Sequence, residues 1–184
     1  MNIKNIANSI LIFTINRLIE IFGIVISVIG LILFIALISY SPSDPNFIFP
    51  DNTTIKNLLG FQGSYTSDLF FQSVGLISFL IPVSLIFTGI NIFKKKEIFL
   101  LIENTFFIII YSIVGSLFFN VFYDSSYDLY INGNGGFVGN YVGGEVLKNY
   151  LINYKNLSYY FLIILTLFLF LVSINFNLKN FIKT

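Results

Sequence analysis

The sequence predicts an all-α integral membrane protein: a four-transmembrane helical bundle with a short amphipathic or re-entrant segment in its second outer loop. Three observations carry this. Apolar, uncharged stretches recur at 21–40, 69–93, 104–123 and 157–178, each long enough to cross about 30 Å of hydrocarbon at about 1.5 Å per residue. Charged residues make up 10% of the chain, against about 25% in an ordinary soluble domain. The cations are also unevenly shared between the segments that join the spans.

The first element is 1–18, in which the uncharged stretch 5–16 is too short to span. Ile3, Ile6, Ile10 and Phe13 form a one-sided stripe there, which reads as an interfacial helix leading into the first span. No small-residue cleavage site closes the apolar run that follows Arg17 and Glu20, so the first span is expected to be retained rather than removed as a signal peptide. The membrane domain then occupies 19–178, and 179–184 is a tail.

Orientation follows from the cations. With both termini in the cytoplasm, the inner segments hold Lys4, Arg17, Lys94, Lys95, Lys96, Lys179 and Lys183, and the outer ones only Lys56, Lys148 and Lys155. The positive-inside rule favours that arrangement. The Lys94-Lys95-Lys96-Glu97 turn between the second and third spans is short enough to make them a helical hairpin.

Chemistry is scarce. Cysteine and histidine are absent, which removes thiolate nucleophiles, imidazole bases and the usual zinc ligands. No catalytic residue, cofactor or metal is expected. Net charge is +1, so there is no field to collect nucleic acid and none is expected to bind directly. Arg17 and Glu20 lie three apart on one helical face, poised to pair with each other or with a partner subunit at that depth. Pro82, near the middle of the second span, is expected to kink it. Gly23, Ser27 and Gly30 in the first span, and Ser112, Gly115 and Ser116 in the third, form small-residue seams for close helix packing, within one bundle or between chains.

The outer loops carry the more particular patterns. Gly135, Gly139 and Gly143 recur every four residues amid apolar pairs, which suggests a short helix whose glycine face presses on a span. Each glycine costs about 1 kcal/mol relative to alanine, so tertiary packing must hold such a helix. No Gly-Lys-Ser/Thr follows, so a nucleotide loop is excluded. Tyr123, Tyr127, Tyr130, Tyr150, Tyr154, Tyr159 and Tyr160 are placed as interfacial anchors. In the first loop, Pro42 and Pro45 around Asp44 stop the helix and fix an extended exit.

These residues resemble the N-terminal four-span domain of the FtsK/SpoIIIE DNA translocases. The resemblance rests on Arg17-x-x-Glu20 and on Ser39-Tyr40-Ser41-Pro42-Ser43-Asp44-Pro45. It continues through Asn57-Leu58-Leu59-Gly60-Phe61-Gln62-Gly63-Ser64 with Asp68, and through Gly135-Gly136-Phe137-Val138-Gly139. The chain departs from the pattern at Ser64, where Ala is usual, and at Glu103, where a basic residue is commoner. The resemblance implies an anchor in the bacterial inner membrane at the division septum, with Arg17, Glu20, Ser39, Tyr40, Ser41, Pro42, Asp44, Pro45, Asn57, Gly60, Gly63, Asp68, Gly135, Gly136 and Gly139 as structural or partner-contact residues. It further implies a motor supplied by a separate C-terminal ATPase domain, since this chain has no Walker motif. Expected partners are membrane lipid, further copies in a homo-oligomer and, by the resemblance, divisome membrane proteins. A small transporter or channel subunit is the alternative, on the strength of Pro82 and the glycine-rich segment.

Overall fold

A computed structural model describes residues 3–45, 54–123 and 132–176; Asp51, Tyr127, Tyr130 and the 179–184 tail lie outside them. Every regular element among the described residues is helical. Lipid offers no partner for backbone N–H and C=O groups, so a chain this apolar must satisfy them within helices.

The first helix, α1 (Ile3–Ile38), is unbroken: the 5–16 stretch and the first span are one rod. Its 36 residues measure about 54 Å. Up to Leu18 the described side chains are almost all exposed, and packing begins at Glu20. The second span divides into α2 (Gly60–Val74), a 3-10 segment (Gly75–Phe79) and α3 (Leu80–Lys95). Then come α4 (Phe99–Phe122), α5 (Gly136–Gly143), α6 (Glu145–Asn153) and α7 (Lys155–Ser173). Four helical stretches are long and apolar enough to cross a membrane: Ala7–Ile38, Gly60–Lys95, Phe99–Phe122 and Lys155–Ser173.

The helices form a row. α1 packs on α3, α3 on α4 and α4 on α7, while α5 sits in the corner between α2 and α4. Leu33, Leu37, Phe71, Ile77, Ile81, Ile108, Tyr111 and Leu169 make the main core. One end of the bundle carries the Lys94–Lys96 turn and is called here the basic end; the opposite, loop end carries the α1 exit and α5.

The interruption in the second span is not where the proline suggested. Pro82 occupies the first turn of α3, where its missing N–H leaves no helical bond unmade. The chain breaks instead at Gly75, with φ 70° and ψ −147°, a conformation open only to glycine. A proline in a helix interior costs about 3 kcal/mol or more, so starting a new helix at Leu80, with Pro82 in its first turn, removes that conflict.

The small-residue seams serve packing within this chain. A Cβ on Gly89 would lie 2.3 Å from the Gly23 carbonyl oxygen and 2.3 Å from Ser27 Oγ. Backbone therefore meets backbone where α1 crosses α3, and Ser27 Oγ donates to the Ile86 carbonyl across the seam (3.1 Å). On α4, Gly115 receives the Ile77 side chain, with only 2.4 Å to spare for a Cβ.

Candidate functional site: a clasp at the loop end

The Ser39–Pro45 and Asn57–Asp68 segments, distant in sequence, meet in one hydrogen-bonded clasp. α1 ends because Ser41 precedes Pro42, which disfavours helical backbone at Ser41, and Ser39 Oγ caps the last turn by donating to the Ile35 carbonyl (2.6 Å). The next residues bring Asp44 inward until 1% of it is exposed. Its two carboxylate oxygens accept the backbone N–H groups of Lys56 (2.9 Å) and Asn57 (2.8 Å). Charge-assisted bonds of this kind are about twice as strong as neutral ones.

Asn57 extends the clasp in three directions. Its Nδ2 donates to the Ala36 carbonyl of α1 (2.9 Å), its Oδ1 accepts the Leu59 N–H (3.0 Å), and its carbonyl accepts the Gly60 N–H (2.9 Å). Gly60 then turns the chain into α2 at φ 65°. Gly63 is required by proximity, since a Cβ there would lie 2.1 Å from Asn57 Oδ1. One turn on, buried Asp68 accepts the Tyr40 hydroxyl (3.3 Å), and the Tyr40 ring packs on Phe71, centroids 4.7 Å apart. Ser64 donates its hydroxyl to the Pro45 carbonyl (3.0 Å), a bond alanine could not make. Ser41 Oγ lies 2.9 Å from Ser43 Oγ at the exposed edge.

The remaining motif residues lie elsewhere. Gly135, Gly136 and Gly139 carry α5 onto the span helices: Cβ atoms at Gly135 and Gly139 would lie 2.6 and 2.5 Å from the Ser116 carbonyl oxygen, and one at Gly136 would lie 2.5 Å from the Gly75 nitrogen. Arg17 and Glu20 sit at the basic end. They pair with each other, and Glu20 also pairs with Lys96 (3.1 Å). Lys96 ends α3 in the left-handed conformation, φ 60°, and so binds the turn after α3 to α1.

A second polar cluster, at the basic end, was not singled out from the sequence. Ser84 Oγ lies 3.0 Å from the Tyr111 hydroxyl and 2.9 Å from Ser173 Oγ. Asn104 Nδ2 donates to Thr88 Oγ1 (2.9 Å), Asn175 Nδ2 to Asn104 Oδ1 (2.7 Å), and Asn91 Nδ2 to the Ile174 carbonyl (3.0 Å). Three consecutive residues at the end of α7 are thus each bonded to α3 or α4. Asn175, at φ 53°, closes α7 with paired backbone bonds, Asn175 N to the Val172 carbonyl and Phe176 N to the Leu171 carbonyl, the Schellman pattern with Asn in the usual glycine place. The available signal was spacing: Ser84, Thr88 and Asn91 repeat at helical intervals along one face of an apolar span.

No group of acids with metal-ligating spacing occurs among the described residues. The clasp holds the exit of α1 against the entry of α2.

The fold and the clasp define a multi-pass, four-span α-helical membrane domain closed at its loop end by a buried carboxylate. Residues 16–184 match the family described as the 4TM region of DNA translocase FtsK/SpoIIIE, and the chain belongs to that family. The DNA translocase FtsK of Rickettsia bellii is 30% identical over 151 residues, 82% of this chain and 19% of that protein. That of Rickettsia prowazekii is 34% identical over 84 residues, 44% of this chain and 11% of that protein. That of Shewanella oneidensis is 27% identical over 141 residues, 76% of this chain and 15% of that protein. The chain therefore spans under a fifth of the length of these relatives, and the match falls on their four-span region, not on a motor domain. No solved structure matches.

Proposed function

We propose that this chain is the membrane anchor and septum-targeting domain of a bacterial cell-division DNA translocase, with both termini in the cytoplasm. In this role it tethers a cytoplasmic motor and contacts divisome membrane proteins. The observation that carries the reading is the end of α7. Ser173, Ile174 and Asn175 are hydrogen-bonded into α3 and α4, at the same end as Lys94–Lys96, so a segment leaving there pulls on the whole bundle rather than on one helix. The lysine turn supports placing that end in the cytoplasm.

Reporter fusions after Lys96 and Thr184 test the orientation: cytoplasmic readings at both, with an external reading at Asp51, are expected, and the reverse pattern overturns it. A fluorescent fusion should gather at the division septum, and even labelling of the envelope counts against the anchor. The broken second span with a glycine-rich loop seated in it is an arrangement also found in transporters. Solute or ion flux in liposomes, lost on Gly139→Ala, would favour that reading.

A further inference from the structure

The break at Gly75 frees backbone groups inside a span, and the loop ahead of α5 takes up several of them. In a continuous helix the Leu76 N–H would bond to the Gln72 carbonyl. Here it donates to the Asn134 carbonyl (3.0 Å). The Gln72 carbonyl accepts instead from Asn132 Nδ2 (3.3 Å), and the Val74 carbonyl from Ser116 Oγ of α4 (2.8 Å). The loop backbone fits because Gly75 has no side chain: a Cβ would lie 2.0 Å from the Asn134 carbonyl oxygen.

The docked arrangement leaves polar groups unmatched. Ser78 Oγ and Ser112 Oγ are buried without a hydrogen-bond partner among the described residues. The Val74–Ser116 bond sets α4 antiparallel to the second span and brings Ser78 and Ser112, one turn on in each, to the same level of the interface. A buried hydroxyl without a partner is costly and calls for a physical explanation, stored strain among them. A different backbone at 75–79 would give Ser78 a partner. If 75–79 were α-helical, Ser78 Oγ could bond the Val74 carbonyl four residues back, and Leu76 would recover Gln72. Pro82 would kink that helix one turn later.

We propose that the second span is a two-state element, broken when the 132–136 loop is docked and a proline-kinked continuous helix when it is displaced. The loop and the helix are then coupled, because each supplies the partners the other needs. Anything that draws α5 off α4 converts the 3-10 segment to α-helix and turns α2 relative to α3, which carries Ser84, Thr88 and Asn91. Conversion of the five residues shortens the span by about 2.5 Å, from about 2.0 to about 1.5 Å of rise per residue.

Because coupling is reciprocal, a change on either side must register on the other. The full chain lacks cysteine, so spin labels can be placed in pairs at exposed sites and read by pulsed EPR in lipid nanodiscs. The Leu69→Cys/Phe93→Cys pair reads the second span, and the Ile109→Cys/Tyr141→Cys pair reads α5 against α4. Asn132→Ala, a loop change, should shift the Leu69/Phe93 peak inward by about 2.5 Å or add a second population there. Gly75→Ala, whose Cβ meets the loop directly, should lengthen the Ile109/Tyr141 distance and also draw the Leu69/Phe93 peak inward. Distributions that change only on the mutated element overturn the switch. If Gly75→Ala does not fold, the Asn132→Ala variant decides alone, and an unmoved Leu69/Phe93 peak overturns the proposal.

Discussion

The two ends of the bundle are both held by buried polar residues, but by different means. At the loop end, a full carboxylate, Asp44, gathers backbone N–H groups from a neighbouring stretch, and local motifs supply almost every partner. At the basic end, neutral hydroxyls and amides bond from helix to helix across sequence separations of up to 89 residues. The first device orders a loop; the second fixes the lateral arrangement of three spans. Membrane proteins need the second kind because lipid supplies no hydrophobic force between helices.

The largest expected effect is at the clasp. Asp44→Ala removes the acceptor of two buried N–H groups and should lower stability by about 3 kcal/mol, read as a fall in the thermal midpoint in detergent. Asp44→Asn retains one acceptor oxygen and should lose less; equal losses would mean that a single neutral acceptor contributes nothing and that the charged, two-oxygen group is required. At the basic end, Asn104→Ala breaks bonds to both Thr88 and Asn175 and should cost about 1–2 kcal/mol. Combined with Asp44→Ala, its effect should be additive within about 0.5 kcal/mol, since the sites share no partner. Non-additive unfolding would show that the two ends form one unit. Tyr111→Phe removes a single hydroxyl whose partner Ser84 keeps its contact with Ser173, and about 0.6 kcal/mol is expected. Ser64→Ala, which removes the bond to the Pro45 carbonyl, should be the mildest at about 0.5 kcal/mol, detectable by the same melts.

The difference between the ends also explains what was legible in the sequence. Hydropathy placed four apolar spans because lipid imposes a length. The Tyr40–Pro45 stretch stood out because two prolines and an acid are unusual beside a span, the Asn57–Asp68 stretch only through the family resemblance, and the structure joins them. The α5 glycine face was readable from its four-residue repeat, and its contacts with Ser116 and Asn120 follow from the lack of side chains there. The basic-end cluster was overlooked because each Ser, Thr or Asn is unremarkable alone in an apolar helix, and only long-range packing pairs them. Pro82 misled for a related reason. A proline shows where a helix cannot continue, yet Gly75 shows where this one can turn, and the loop that fills the turn lies some 60 residues away.

The continuity of α1 has a mechanical consequence. Its apolar portion before Glu20 touches little else in the bundle, whereas the portion from Gly23 onward is clamped against α3 by backbone contact. A helix without a hinge transmits rotation along its axis, so a small tilt at the Gly23–Gly89 crossing would be magnified along the exposed stretch before Glu20. The first helix is in this sense a pointer whose pivot is a glycine seam and whose stop is the Glu20–Lys96 ion pair.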